Sequence, residues 1–194
     1  GKANGVKVEY IDKLDFMPNI MFTNDKLDEK GFHAEYYKNI YFEGEPIIKQ
    51  SEQKINYSWA AGTELSDVPN DHFSVKWYAT MCSDETTDYE LTLGGDDGYK
   101  LFIDNQLVMD DWTEGGFRST TITRRLKAGK KYHIRIEYYQ QGGGAAVRFA
   151  WKRKNESRNK FVDYLNKADM VIACIGHDSD TEGEGSDRSF TLPD

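Results

Sequence analysis

Two acidic loops hold the residues with the clearest capacity for chemistry. The first is Asp96-Asp97, set in the run Gly94-Gly95-Asp96-Asp97-Gly98-Tyr99-Lys100-Leu101-Phe102. Adjacent carboxylates on a glycine-rich turn can take hydrogen bonds from a polar ligand, or grip a hard cation such as calcium, which prefers oxygen ligands. They can equally cap the amides of their own turn, and this structural role is the favoured expectation. The second loop is Asp178-Ser-Asp-Thr-Glu-Gly-Glu-Gly-Ser-Asp-Arg188. Its glutamates, Glu182 and Glu184, follow an apolar run ending in glycine, the place where ligands bind in open α/β sheets. Asp187 beside Arg188 suits an ion pair that braces the loop. Asp178, Asp180, Glu182 and Gly183 imitate the opening of an EF-hand, but its twelfth position falls on Ser189, which has no carboxylate to offer. Plain solvation of an acidic, glycine-rich loop is the alternative reading.

The elements that must position these loops fall into three parts. Val6 to Ile11 alternates with period two and reads as a strand, and the rest of the chain up to Lys30 reads as a linker. From Gly31 to Lys154 the chain is a series of short strands: 32–37, 73–81, 88–93, a hairpin over 99–108 turning at Asp104-Asn105, then 120–126, 131–139 and 145–151. Ala128-Gly129-Lys130 and Gly142-Gly143-Gly144 punctuate it. Many short strands at this spacing predict an antiparallel β-sandwich or barrel. From 155 onward the period changes. Phe161, Tyr164, Leu165 and Ala168 have helical spacing, and Met170 to Ile175 is a continuous apolar run suited to a strand buried on both faces of a parallel sheet. The flanks therefore read as one α/β domain interrupted by a β domain. They are too short to complete it, so the chain is expected to be a piece of a larger protein.

Composition narrows the function. The chain has 194 residues, a net charge of −8, 12 Tyr and 10 Phe. This tyrosine-rich, acidic composition suits a β-rich domain and argues against nucleic-acid or anionic-membrane partners. No segment approaches the roughly 20 apolar residues of a membrane-spanning helix. The two cysteines, Cys82 and Cys174, are too few for a disulfide framework and lack metal-ligand spacing. The histidines, His33, His72, His133 and His177, form no grouping with a nucleophile. His177 sits at the predicted strand end beside the second acidic loop, where it would line the same pocket.

The middle part resembles a PA14 (protective-antigen) domain. The resemblance rests on Gly31 to Tyr37, Ile55 to Trp59, Phe73 to Trp77, Gly95 to Asp104 with Asp111-Trp112, and Ala128 to Tyr138. It implies a β-sandwich and a carbohydrate-linked role. In the adhesins of that family an adjacent acid pair binds calcium and sugar, which would make Asp96 and Asp97 metal and substrate ligands. Trp112 and Phe117 flank the next loop and would offer aromatic platforms to a sugar ring, against the plainer readings of core packing for Trp112 and an ordinary exposed ring for Phe117. The end of the chain, Ala168 to Gly176 with Glu182 to Arg188 and Leu192-Pro193, resembles the second catalytic domain of family 3 glycoside hydrolases, the β-glucosidases, in which a PA14 domain is an insertion. Retaining glycosidases need two carboxylates about 5 Å apart. The resemblance places the acid/base at Glu184, with Glu182 as the fallback, and the nucleophile on a separate barrel domain that this chain lacks. The expected substrate is an oligosaccharide or β-glucoside. The expected partner is the remainder of the catalytic domains, and the expected location is periplasmic or secreted. The inserted domain is expected to overhang the pocket and limit substrate length. A calcium-dependent carbohydrate-binding module is the alternative.

Overall fold

The computed structural model describes residues 20–24, 29–59 and 65–154. Twelve strands follow in order: β1 (Ile20–Asn24), β2 (Glu29–Lys30), β3 (Phe32–Tyr37), β4 (Ile48–Glu52), β5 (Asn56–Ser58), β6 (Phe73–Ser83), β7 (Thr87–Asp96), β8 (Gly98–Ile103), β9 (Gln106–Asp111), β10 (Arg118–Leu126), β11 (Lys131–Gln140) and β12 (Ala146–Arg153). All the paired strands are antiparallel. The larger sheet runs β2-β1-β6-β11-β8-β9, with β3 along the first half of β6 and β4 outside β3. The smaller sheet runs β10-β7-β12-β5. Side chains from both sheets meet in one core, so of the antiparallel sandwich or barrel that the strand spacing predicts, the fold is the sandwich.

Period-two alternation explains which faces meet. In β6, Val75, Trp77, Ala79 and Met81 point inward, as do Tyr99, Leu101 and Ile103 of β8 and Leu91 and Leu93 of β7. Each fully buried large ring contributes roughly 2–3 kcal/mol of hydrophobic burial. On the outer face of the larger sheet, the register aligns Lys49, Glu35, Lys76, Glu137, Lys100 and Asp110 into one rung of alternating sign across six strands. Opposite charges facing each other across strands favour this register over a one-residue slip. The hairpin turns at Asp104 (φ 49°) and Asn105 (φ 64°), the residue types that tolerate this conformation.

Four strands differ from the sequence reading, the three-residue β5 among them. Ile20–Asn24 and Glu29–Lys30 lie in the part read as a linker, yet they pair into the larger sheet. Phe22 is the reason: its ring stacks on Phe32 and tilts against Trp151, which is far away in sequence. β4 was also missed, because Ile48-Lys49-Gln50-Ser51-Glu52 carries a carboxylate where an inward apolar residue is expected. Glu52 is only 6% exposed. It accepts hydrogen bonds from the Tyr36 hydroxyl (2.6 Å), the Trp77 indole N–H (2.6 Å) and the Gln50 amide (2.8 Å). The predicted flanking strand at 6–11, the helix and strand after 155, and Cys174, His177, Glu182, Glu184 and Arg188 all lie outside the described residues.

The buried tyrosines make the sandwich sensitive to alkali. Burial is the main cause that pushes the Tyr36, Tyr57 and Tyr138 phenols well above their ordinary value, with nearby carboxylates adding to it. Tyr78 is pushed up to about 12, first by burial and then by Glu35. A phenol with a raised folded-state pKa leaves stability intact below the unfolded value of about 10. Above that pH only the unfolded chain ionises readily, and stability falls. Thermal melts are expected to stay level from pH 7 to 9 and drop steeply from about pH 10. An unchanged melting temperature at pH 11 would contradict this.

Both ends of the described domain lie at the same end of the sandwich. Ile20 pairs with Ser83 and Arg153 pairs with Tyr89, on either side of the short β6–β7 connection. The β3–β4, β5–β6, β7–β8, β9–β10 and β11–β12 connections lie at the opposite end.

Candidate functional site

Asp96 ends β7 in the smaller sheet, and Gly98 starts β8 in the larger one, so Asp96-Asp97 is where the chain crosses between the layers. The two are joined by a cis peptide bond. Asp97 is 1% exposed. Its Oδ1 accepts the Gly115 N–H at 2.8 Å and its Oδ2 accepts the Gln141 N–H at 2.7 Å. One carboxylate thus ties the β9–β10 loop and the β11–β12 loop to the crossing. Charge-assisted bonds of this kind are about twice as strong as neutral ones.

Asp96 is placed differently. Its main-chain carbonyl accepts the Tyr138 hydroxyl, while its side chain is partly exposed and makes no hydrogen bond among the described residues. A side chain on Gly144 would come within 2.9 Å of Asp96 Oδ2, so the triple-glycine loop leaves room for this carboxylate. Burial first, and the Asp97 charge second, push the Asp96 carboxyl above its ordinary value, with Arg118 opposing.

The β9–β10 loop straddles the sandwich end. Trp112 lies outside the larger sheet. Its ring centroid is 4.7 Å from that of Tyr139 and 6.0 Å from that of Phe42, with Lys100 Nζ 4.6 Å over its face. Trp112 is therefore half-buried in a surface stack rather than placed in the core. Tyr139 itself lies flat over Gly98, where any side chain would collide with its ring at 2.2 Å. Phe117, 51% exposed, lies outside the smaller sheet over Gly94.

Arg118, which sequence reasoning missed, holds this loop. Its Nε donates to Asp111 Oδ2 (3.1 Å), its Nη2 to the Thr113 carbonyl (2.7 Å) and its Nη1 to the Gly116 carbonyl (2.7 Å). The Arg118 hydrogen bond, followed by that from Thr113, holds the Asp111 carboxyl below its usual range. A depressed carboxylate adds stability above its unfolded pKa and loses it as the pH falls through the folded value. Arg118→Ala is expected to move Asp111 back toward the ordinary carboxylate range in an NMR titration, and to speed amide exchange across 112–117. An unchanged Asp111 titration would contradict this. The available signal in the sequence was Asp111 and Arg118 bracketing Gly115-Gly116.

Among the described residues no three His, Cys, Asp or Glu side chains come together as a metal set. Calcium takes six to eight oxygens, and here two carboxylates are offered, one of them already shared by two amides. An open groove of about 730 Å³, lined in part by Met21, Phe22, Cys82 and Trp151, lies at the other end of the sandwich and holds none of these groups.

The chain is similar to several known proteins. It is 29% identical over 128 residues to the anti-sigma-I factor RsgI3 of Acetivibrio thermocellus, covering 66% of this chain and 20% of that one. It is 26% identical over 213 residues to a putative β-glucosidase of Schizosaccharomyces pombe, covering 91% and 24%. The chain thus spans less than a quarter of the length of either relative. A solved anti-sigma factor domain-containing protein superposes with a TM-score of 0.61 at 29% identity, covering 66% of this chain and 44% of that one. The PA14 sugar-binding domain from an RTX adhesin superposes with a TM-score of 0.55 at 17% identity, covering 66% and 92%, and shares the fold. Residues 28–163 match the PA14 domain, and with the sandwich described above this chain belongs to the PA14 domain family.

Proposed function

We propose that this chain is the carbohydrate-facing part of a β-glucosidase-like glycoside hydrolase, with the loop end of its sandwich contacting sugar. The observation that carries this reading is the shared placement of Asp96, Trp112 and Phe117 at the end opposite chain entry and exit. An insertion joined to a host at one end leaves its other end free to contact a ligand. Aromatic faces with a few placed polar groups are the usual lining of small-molecule sites. The similarity to the fission-yeast putative β-glucosidase supports the reading, because it extends beyond the PA14 span. The adhesin domain named for sugar binding supports carbohydrate as the ligand. On this reading Glu184 is the acid/base of the host, with Glu182 as the fallback, while His177 and Arg188 belong to the same pocket. A carbohydrate-degrading host favours a periplasmic or secreted location.

Calorimetric titration of the chain with cellobiose, with calcium and with a chelator, tests this. Millimolar binding unaffected by the chelator is expected. Binding that requires calcium and disappears in Asp96→Ala would favour the second reading, a calcium-dependent carbohydrate-binding module, for which the adjacent placement of Asp96 and Asp97 where the chain crosses between the sheets is the supporting observation. No binding of any saccharide would count against both. The chain alone lacks the expected nucleophile and is expected not to cleave an aryl β-glucoside. Cleavage that Glu184→Gln abolishes would overturn the assignment of the nucleophile to another domain.

A further inference from the structure

Resting on that carbohydrate reading, we infer that the site takes an oligosaccharide rather than a single sugar, held by two aromatic platforms on opposite faces of the sandwich end. The first platform stands outside the larger sheet. It consists of Trp112 and Phe42, and Tyr41, next to Phe42 in the chain, is 71% exposed. The second is Phe117, outside the smaller sheet. Packed sheets lie about 10 Å apart, and each platform stands beyond its own sheet, so the two rings are farther apart than one pyranose can span. Asp96 lies at the crossing between them, with a carboxylate free, among the described residues, to accept sugar hydroxyls.

The first platform is built in place. Asn39 Oδ1 accepts the N–H groups of Tyr41 (3.0 Å) and Glu43 (3.0 Å), and its amide donates to the Glu43 carbonyl (2.9 Å). Its main-chain carbonyl accepts the Ser74 hydroxyl at 2.6 Å, docking the loop on β6. This turn holds Phe42 at φ 60°, with its ring against Tyr37 and Trp112 and under the Lys76 ammonium at 4.3 Å. Sequence reasoning had no reason to single out Asn39, Tyr41 or Phe42.

The chemistry of the exposed groups selects the occupant. Of the large exposed apolar side chains among the described residues, those at this end, Tyr41 and Phe117, are both aromatic. The aliphatic ones, Met21 and Leu107, are at the other end. A protein partner would favour a continuous apolar core with a polar rim. Separated rings around a carboxylate suit a ligand with alternating C–H faces and hydroxyl edges.

The test is titration of the chain with glucose, cellobiose, cellotriose and cellotetraose, repeated for Tyr41→Ala and Phe117→Ala. Circular dichroism would confirm that these loop variants stay folded. Affinity is expected to rise about tenfold between glucose and cellotriose. Each variant is expected to cut cellotriose affinity by about tenfold, with glucose binding lost in at most one of them. Equal affinity for glucose and cellotriose, or cellotriose binding indifferent to either variant, would overturn the two-platform inference and leave the carbohydrate reading standing. Failure of every saccharide to bind the native chain would overturn both.

Discussion

Glu52→Ala is expected to lower unfolding stability by about 4 kcal/mol, because it strands buried donors rather than merely deleting a side chain. The Trp77 indole N–H and the Tyr36 hydroxyl both end on this carboxylate, and both residues are within 1% of full burial. A buried donor left unsatisfied costs about 1–3 kcal/mol, and here there are two, with a cavity added. Glu52→Gln keeps the shape and one acceptor oxygen, but its amide nitrogen must face one of the donors, so an intermediate loss is expected. Urea denaturation followed by tryptophan fluorescence measures both. A loss below 1 kcal/mol for the alanine variant would mean that water or a neighbour replaces the carboxylate. Glu52 also bears on uniqueness of the fold. A carboxylate among aromatic rings accepts only the arrangement that brings Tyr36, Gln50 and Trp77 to it, which fixes β4 against β3 and β6.

Asp97→Ala is expected to cost about 3 kcal/mol and to release two loops at once. Each bond from a main-chain N–H to this buried carboxylate is charge-assisted and worth about 1.5–3 kcal/mol. Gly115 belongs to the loop bearing Trp112 and Phe117, and Gln141 to the loop beside Asp96, so weaker saccharide binding should accompany the loss of stability. Asp97→Asn should recover little, since one of the two N–H groups would meet an amide donor. The same experiment separates the tie from a metal ligand. A tie makes the native chain equally stable in chelator and in calcium. A metal site would raise native stability as calcium increases, following mass action, and the variant would lose that response. Calcium-dependent melting of the native chain would contradict the structural account of Asp97.

The sandwich was legible in the sequence wherever alternation was strict and the turn residues were distinctive. β6, β8 and β11 alternate cleanly, and Asp104-Asn105 marks its hairpin. β1 was not legible, because Ile20-Met21-Phe22-Thr23-Asn24 is too short to separate from a linker, and the rings that claim Phe22 are as distant as Phe149 and Trp151. β4 was hidden by Glu52, whose burial depends on Tyr36 of β3 and Trp77 of β6. At the site, the acid pair stood out because adjacent carboxylates between glycines are rare, and Trp112 and Phe117 because they flank the following loop. The different duties of Asp96 and Asp97 were not readable, since they depend on which of the two faces Gly115 and Gln141. Arg118 and Asn39 act through main-chain atoms of their own loops, and such roles leave little trace in residue type alone.

The most direct test is whether a saccharide contacts the proposed end of the sandwich. Amide chemical shifts of the labelled chain, followed during titration with cellotriose to millimolar concentration, report it residue by residue. The moving resonances are expected to gather in 38–47, 96–98, 112–117 and 141–145. Shifts gathered instead around the Asp104-Asn105 turn and Gly129 at the opposite end would contradict that placement.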